Sequence, residues 1–240
     1  MQKDLGKRQR DMTIKIFITG TDTGVGKTYI STAFLRKFNG MGFSTFGMKP
    51  VASGCLQIHK TFRNEDALAL QKVSSIKKRY EFVNHIALKN PIAPNIAAQS
   101  EHLLLSVTVL MEKINKSLKI ASDVFIIEGI GGWFVPLNEI ETIADLVESL
   151  NIPVVLVVGI KLGCLNHTIL TRYAINQKKI PLLGWIANCI EPKTREIDEN
   201  INTLKKWIEE PCIGIVQYGE DPLHHLGLQP ILDFFKNQSL

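Results

Sequence analysis

Nine residues, GTDTGVGKT (20–28), bring three glycines, a lysine and three threonines into one short stretch. Backbone N–H groups of a glycine-rich turn can converge on phosphate oxygens, and a helix starting near Gly26 adds its positive end. From such a turn Lys27 can reach terminal phosphates, and Thr28 offers a hydroxyl to Mg2+. The strict phosphate loop is G-x4-G-K-[ST], whereas five residues separate Gly20 from Gly26. The chain therefore carries a variant, one residue longer by that count.

Other polar residues stand where apolar runs end. Lys49 follows STFGM and is succeeded by the small-residue loop PVASG; it either faces the phosphate loop or stands in solvent. Glu128 closes FIIE ahead of GIGG, the place where a P-loop protein usually keeps its second Mg2+ holder. Asp66 sits in NEDALAL, either as part of the cation's surroundings or as a favourable charge at a helix start. KLGCLNH (161–167) places Gly163, Cys164, Leu165 and Asn166 at a helix N-terminus suited to a carboxylate. His167 in that stretch reads as a packing or capping residue. Asn188, after LLGWIA, has the donor and acceptor that a purine edge needs.

These positions depend on the elements that carry them. Short β-branched or apolar runs predict buried strands over 14–19, 44–51, 123–129, 152–160, 182–190 and 212–218. Helical spacing predicts helices over 28–42, 64–75, 103–118, 142–150, 164–178 and 194–210. Asn64 and Thr194 are the expected caps of two of them. PIAPNIAAQSE (91–101) is proline-punctuated. The alternation implies an α/β fold of the P-loop NTPase type, a mostly parallel sheet covered by helices on both faces. In such sheets ligands gather at the carboxyl ends of the strands.

Composition bounds the rest. The chain has 240 residues, 45% hydrophobic and 21% charged, enough for one domain with a substantial core. We expect a single domain over 13–240 and a flexible extension over 1–12, with Met12 a possible start in its own right. The net charge of +5 is spread out, and basic stretches such as IKKRY (76–80) are short. A nucleic-acid surface needs a coherent basic stripe with aromatic partners, so no nucleic-acid partner is expected. The longest apolar run, 152–160, is far short of the ~20 residues of a membrane helix, so no membrane association is expected either. Cys55, Cys164, Cys189 and Cys212 form no metal or redox spacing and read as reduced thiols of a cytoplasmic protein.

In chain order, GTDTGVGKT, KPVASG, EDALALQ, EGIGGWFVPL, VVGIKLGCLNH and GWIAN resemble the dethiobiotin synthetase family. The resemblance runs from Ile16 to Asn188 and continues more weakly to about Tyr218. It implies a homodimeric, cytoplasmic cyclo-ligase of biotin synthesis. Such an enzyme joins CO2 (or bicarbonate) to the diamino acid 7,8-diaminopelargonate with ATP and Mg2+, giving dethiobiotin, ADP and phosphate. Carried over by motif, Gly24, Val25, Gly26, Lys27, Thr28 and Tyr29 belong to the ATP site. So do Asp66, Glu128, Gly129, Ile130 and Gly131. Thr28, Asp66 and Glu128 would surround Mg2+. Lys49 and Lys27 would be catalytic, and Thr23 and Ser53 would contact the diamine or its carbamate. Gly163, Cys164, Leu165 and Asn166 would receive the substrate carboxylate. Asn188, Cys189, Gln217, Tyr218 and Gly219 would face adenine. Family members commonly bring a partner-subunit tyrosine to that carboxylate; a gapless reading puts Asn200 there. The last strand reads IVQYG where the family usually leads into Ile-Pro.

Two rival readings carry their own discriminators. A larger P-loop amide ligase generally adds a glutamine-hydrolysing domain, for which this length leaves little room. A partitioning-type ATPase switch places a second lysine near the start of the loop, where this chain has Asp22.

Overall fold

A computed structural model describes residues 13–192 and 196–238. The expected extension over 1–12 and the cap at Thr194 lie outside these residues. Six strands build the central sheet: β1 (Ile14–Gly20), β2 (Thr45–Met48), β7 (Val124–Glu128), β8 (Val154–Ile160), β9 (Leu182–Cys189) and β10 (Cys212–Val216). Their spatial order is β10-β9-β8-β1-β7-β2, and every pairing is parallel. Two small sheets lie outside it. One pairs β3 (Val51–Ala52) with β6 (Ile86–Ala87); the other is a hairpin of β4 (Leu56–Ile58) and β5 (Thr61–Arg63). The helices among the described residues are α1 (Lys27–Gly40), α2 (Glu65–Val73), α3 (Pro94–Ser100), α4 (Val107–Leu118), α5 (Ile143–Leu150), α6 (Cys164–Gln177), α7 (Ile197–Trp207) and α8 (Gln229–Asn237).

Side chains alternate across a strand, so each strand feeds two cores. Ile16 and Ile18 of β1 and Val124 and Ile126 of β7 face the layer that holds Phe34 of α1 and Ile231 of α8. Phe17, Phe125 and Ile127 face the other, with Leu110 of α4, Val147 of α5 and Ile175 of α6. This is the doubly covered parallel sheet that the continuous apolar strand runs imply. Cys55, Cys164 and Cys189 are buried and Cys212 partly so, all as free thiols.

Several elements depart from their expected form. The run 44–51 is broken: β2 ends at Met48, and Val51–Ala52 pairs with β6 instead of continuing in the main sheet. Pro50 has no N–H for a ladder, and its carbonyl is taken by the N–H groups of His85 and Ile86 at 3.1 and 2.9 Å. The helix expected from 103 starts at Val107, because the Ser106 side chain accepts from the Val109 N–H and caps it. Pro94 opens α3, a favoured place for proline that the punctuated stretch left unread. Helix α8 was not expected at all; it is held by Ile231, Leu232 and Phe235.

Candidate active site

Strand order does the first part of the construction. β1, β7 and β2 are neighbours, so the loop after β1, the end of β7 and the residue after β2 emerge side by side. Register does the second. Met48 lies opposite Ile127, which sets Lys49 level with Glu128. The Lys49 ammonium lies 2.6 Å from Glu128 Oε1 and 2.9 Å from Asp66 Oδ2, the latter carried by the first turn of α2. Thr28, in the first turn of α1, donates to the same Glu128 oxygen at 2.7 Å.

The phosphate loop closes the group from the other side. Gly26 is the N-cap of α1 with φ of 91°, and a Cβ there would lie 2.2 Å from the Asn188 side-chain nitrogen. Only glycine satisfies both the left-handed backbone and that approach. Lys27 is buried and its ammonium donates to the Asp22 carbonyl at 2.8 Å. The Asp22 carboxylate accepts from the Thr23 N–H at 2.7 Å and from Lys161 at 3.1 Å. Asp22 thus fastens the loop internally, at the position where a partitioning ATPase has its lysine.

Electrostatics separate the two lysines. Burial and the neighbouring Lys49 ammonium push Lys27 down to about 8, against the pull of Glu128, Asp66 and Asp22. Burial acts against the Lys49 ammonium too, but Glu128 and Asp66 hold its pKa above the ordinary lysine value. Asp66 lies below the usual carboxylate range: burial works against its charge, and Lys49 outweighs burial. Two cations and two anions therefore share a site in which Lys27, Lys49 and Glu128 are buried, where an arriving anion feels the ammonium groups strongly.

Two of the buried side-chain oxygens that lack a hydrogen-bond partner among the described residues belong to this group: Glu128 Oε2 and Ser53 Oγ. A fully buried carboxylate oxygen left free, beside a threonine hydroxyl and a second carboxylate, suits a hard cation that takes oxygen ligands and keeps several waters. The residues present fit Mg2+.

A cavity of about 710 Å3 opens over this group. Thr23, Gly24, Gly26, Lys27, Thr28, Lys49, Ser53, Asp66, Glu128, Ile130 and Gly131 line it, all named from the sequence. Asn64, Pro91, Ile92, Ala93, Pro94, Val135 and Pro136 line it as well and were not named. The proline pair of PIAP was a visible signal for this wall; the role of Asn64 was read only as a helix cap. Val25 is fully buried and anchors the loop, and Gly129 packs on Phe17.

The remaining candidates gather elsewhere. Asn188 donates to the Val25 carbonyl at 2.9 Å, behind the phosphate loop. Tyr29 reaches the Glu220 carbonyl at 2.6 Å, and Arg36 forms a two-bond pair with Asp221, drawing the exposed segment 217–221 against α1. Asn188 and Cys189, ending β9, and Gln217, Tyr218 and Gly219, following β10, therefore flank the loop on the side away from the cavity. Gly163 caps α6 with φ of 90°; Leu165 and the exposed Asn166 lie in its first turn and Cys164 turns inward. The Lys161–Asp22 pair ties this turn to the phosphate loop, yet none of the four residues lines the cavity.

A family model described as an AAA domain matches residues 14–222. The ATP-dependent dethiobiotin synthetase BioD of Cellvibrio japonicus (strain Ueda107) is 46% identical over 222 residues, covering 90% of this chain and 97% of the relative. That of Xanthomonas oryzae pv. oryzae (strain PXO99A) is 43% identical, covering 85% and 91%. That of Pseudomonas aeruginosa (strain UCBPP-PA14) is 42% identical, covering 90% and 96%.

Proposed function

The chain belongs to the ATP-dependent dethiobiotin synthetase family, and from that premise we propose how its residues carry out the reaction. It is an ATP-dependent ligase of biotin biosynthesis. Our reading is that it carboxylates 7,8-diaminopelargonate with CO2 and closes the ring to dethiobiotin. The observation that supports this most is the convergence of Lys27, Lys49, Asp66 and Glu128 on one cavity whose walls leave Ser53 Oγ free.

One substrate amine bonds to CO2 and loses a proton, giving an anionic carbamate. A carbamate oxygen then takes the terminal phosphoryl group and ADP leaves. The second amine, neutral, attacks the carbamoyl carbon, phosphate departs, the amine's proton passes to the leaving phosphate or to solvent, and a five-membered urea ring closes. This route needs no protein nucleophile; positioning and electrostatics supply the acceleration. In this assignment Lys27 and the loop Gly24, Val25, Gly26, Thr28 and Tyr29 hold the phosphates, with Gly129, Ile130 and Gly131 beside them. Lys49 faces the carbamate, and Ser53 and Thr23 contact the diamine or its carbamate. Thr28, Asp66 and Glu128 would hold Mg2+, which supplies charge neutralisation at the transferring phosphates.

On the far side of the loop, Asn188, Cys189, Gln217, Tyr218 and Gly219 are assigned to adenine. The turn Gly163, Cys164, Leu165 and Asn166 is assigned to the substrate carboxylate. We further propose a homodimer, which the exposed Leu162 just ahead of α6 and Leu170 and Tyr173 on it support, and a single domain over 13–240. A cytoplasmic site of action accords with the free thiols. Among the described residues no helix is long and apolar enough to cross a membrane.

Incubation with radiolabelled bicarbonate, ATP, Mg2+ and the diamine tests the reading. Labelled dethiobiotin and ADP are expected, each dependent on both bicarbonate and diamine. ATP turnover that continues without them would instead mark a nucleotide switch.

The low pKa of Lys27 gives a second expected result. Below pH 8 the lysine is already charged, so nucleotide binds without proton uptake at this group. Above about 8 the free protein has lost that proton, and phosphates binding the ammonium must restore it. ATP affinity should therefore fall by up to about tenfold per pH unit above that value. Calorimetry at pH 7 and pH 9, in buffers of different ionisation enthalpy, reads the uptake; none at pH 9 would show that Lys27 does not meet the phosphates.

A further inference from the structure

Lys49 and Asp66 come from different segments, and their 2.9 Å contact has to be held by something other than the sheet. The backbone of Lys49 has left the main ladder. Its N–H donates to the Val83 carbonyl at 2.8 Å, and its carbonyl accepts from the Asn84 side-chain amide at 2.8 Å. Both polar groups of the Lys49 peptide are thus committed to one short turn, Val83–Asn84. Asn84 is buried, and the same amide also reaches the Ile86 carbonyl at 3.3 Å.

The Asp66 side is held by Asn64. Its side-chain oxygen accepts from the Ala67 N–H at 3.3 Å and caps α2, while its amide donates to the Ser53 carbonyl at 3.3 Å. The orientation of Asn64 therefore sets both the helix start that carries Asp66 and the loop that carries Ser53.

One hydroxyl joins the two halves. Tyr80 Oη accepts from the Asn64 N–H at 2.7 Å and donates to Asn84 Oδ1 at 3.3 Å. Its ring is fixed under the Arg63 guanidinium, 5.0 Å from the ring centroid. Neither Tyr80 nor Asn84 lines the cavity. We propose that Tyr80 and Asn84 are positioning residues for the ligase reaction, locking the Lys49 peptide, the Asp66 helix start and the Ser53 loop into one register. The proposal rests on the functional reading given above. It goes beyond it by tying catalysis to two side chains that never meet substrate.

Tyr80→Phe keeps the ring and removes the bridge. The kcat for dethiobiotin should fall about tenfold while the KM for ATP stays within twofold, as expected when supporting groups loosen a site. The decisive readout needs no turnover: the ratio of ADP affinity with Mg2+ to that without, measured by calorimetry, should fall severalfold as Asp66 drifts. Asn84→Ala should show the same ratio defect, and the double variant should be no worse than the worse single. A ratio unchanged in Tyr80→Phe overturns the proposal whatever kcat does. So do defects that multiply in the double variant. Should the wild-type chain fail to make dethiobiotin, the functional reading falls, while the calorimetric ratio still decides the bridge. Thermal melts of each variant give the folded fraction on which these values are calculated.

Discussion

Lys49→Gln should abolish dethiobiotin formation in a protein that still folds. The glutamine amide can keep a hydrogen bond to Glu128, so the shape of the site survives; what goes is the buried positive charge, and the melting temperature falls because the Glu128 charge is left without it. Removing a single neutral donor from a developing anion costs 10²–10³ in rate, and a buried charged group should cost more. We expect a fall of at least about 10³, roughly 4 kcal/mol of transition-state stabilisation, with ATP affinity changed only a few-fold. The same variant should alter the acid side of the stability curve. In the wild type, burial works against the Asp66 charge but Lys49 holds its pKa below the ordinary value of 3.8. Its stabilisation is thus fully present above the unfolded value and is lost as pH falls through the folded one. Without Lys49 the largest part of that dependence goes, Thr28 and Lys27 keeping the rest, and chemical denaturation below about pH 4 should show a flatter profile. Product formation close to wild type would remove Lys49 from its assigned role.

The second large effect is expected from Glu128→Gln. Glu128 is fully buried and serves Lys49 at 2.6 Å and Thr28 at 2.7 Å. The amide leaves the ammonium of Lys49 buried with only the half-exposed Asp66 opposite it. Breaking a buried ion pair from one side costs about 3 kcal/mol or more. For a chain of this size that is a drop in Tm of roughly 6–12 °C. Turnover should fall by about 10² or more, since one of the two charges that hold Lys49 protonated and in place has gone. The double variant Lys49→Gln/Glu128→Gln should recover part of the lost stability, because both charges leave together. Strictly additive losses in the melts would show that the two residues do not act as a pair.

How much of this could be read from the chain differs residue by residue. The phosphate loop was legible because strand, turn and helix are consecutive, so the motif contains its own geometry. Glu128 was legible for a similar reason: a carboxylate ending a run of buried apolar residues sits at a strand mouth. Lys49 was half legible. Its place at a strand end was plain, but whether it faced the loop or solvent depended on β2 pairing with β7, some 79 residues away in sequence. Tyr80 and Asn84 gave no signal, since a polar side chain in a short turn looks alike whether it faces water or a catalytic peptide. The hairpin β4–β5 was unread for a local reason. Its turn uses His59 at φ of 55°, where a glycine or asparagine would have announced it.

The amino-acid sequence by itself determined the alternation of strands and helices, the position of the phosphate turn and the identity of the charged groups at the strand ends. These are properties of short segments, set by side-chain period and backbone freedom. Tertiary structure alone decided which strand ends are neighbours, and so which charges meet. It put Lys49 between Asp66 and Glu128, and it kept the turn at Gly163 off the cavity wall. The reason is that parallel strands are joined by crossovers: their order in the sheet is chosen by how whole helices pack, and no local pattern encodes it.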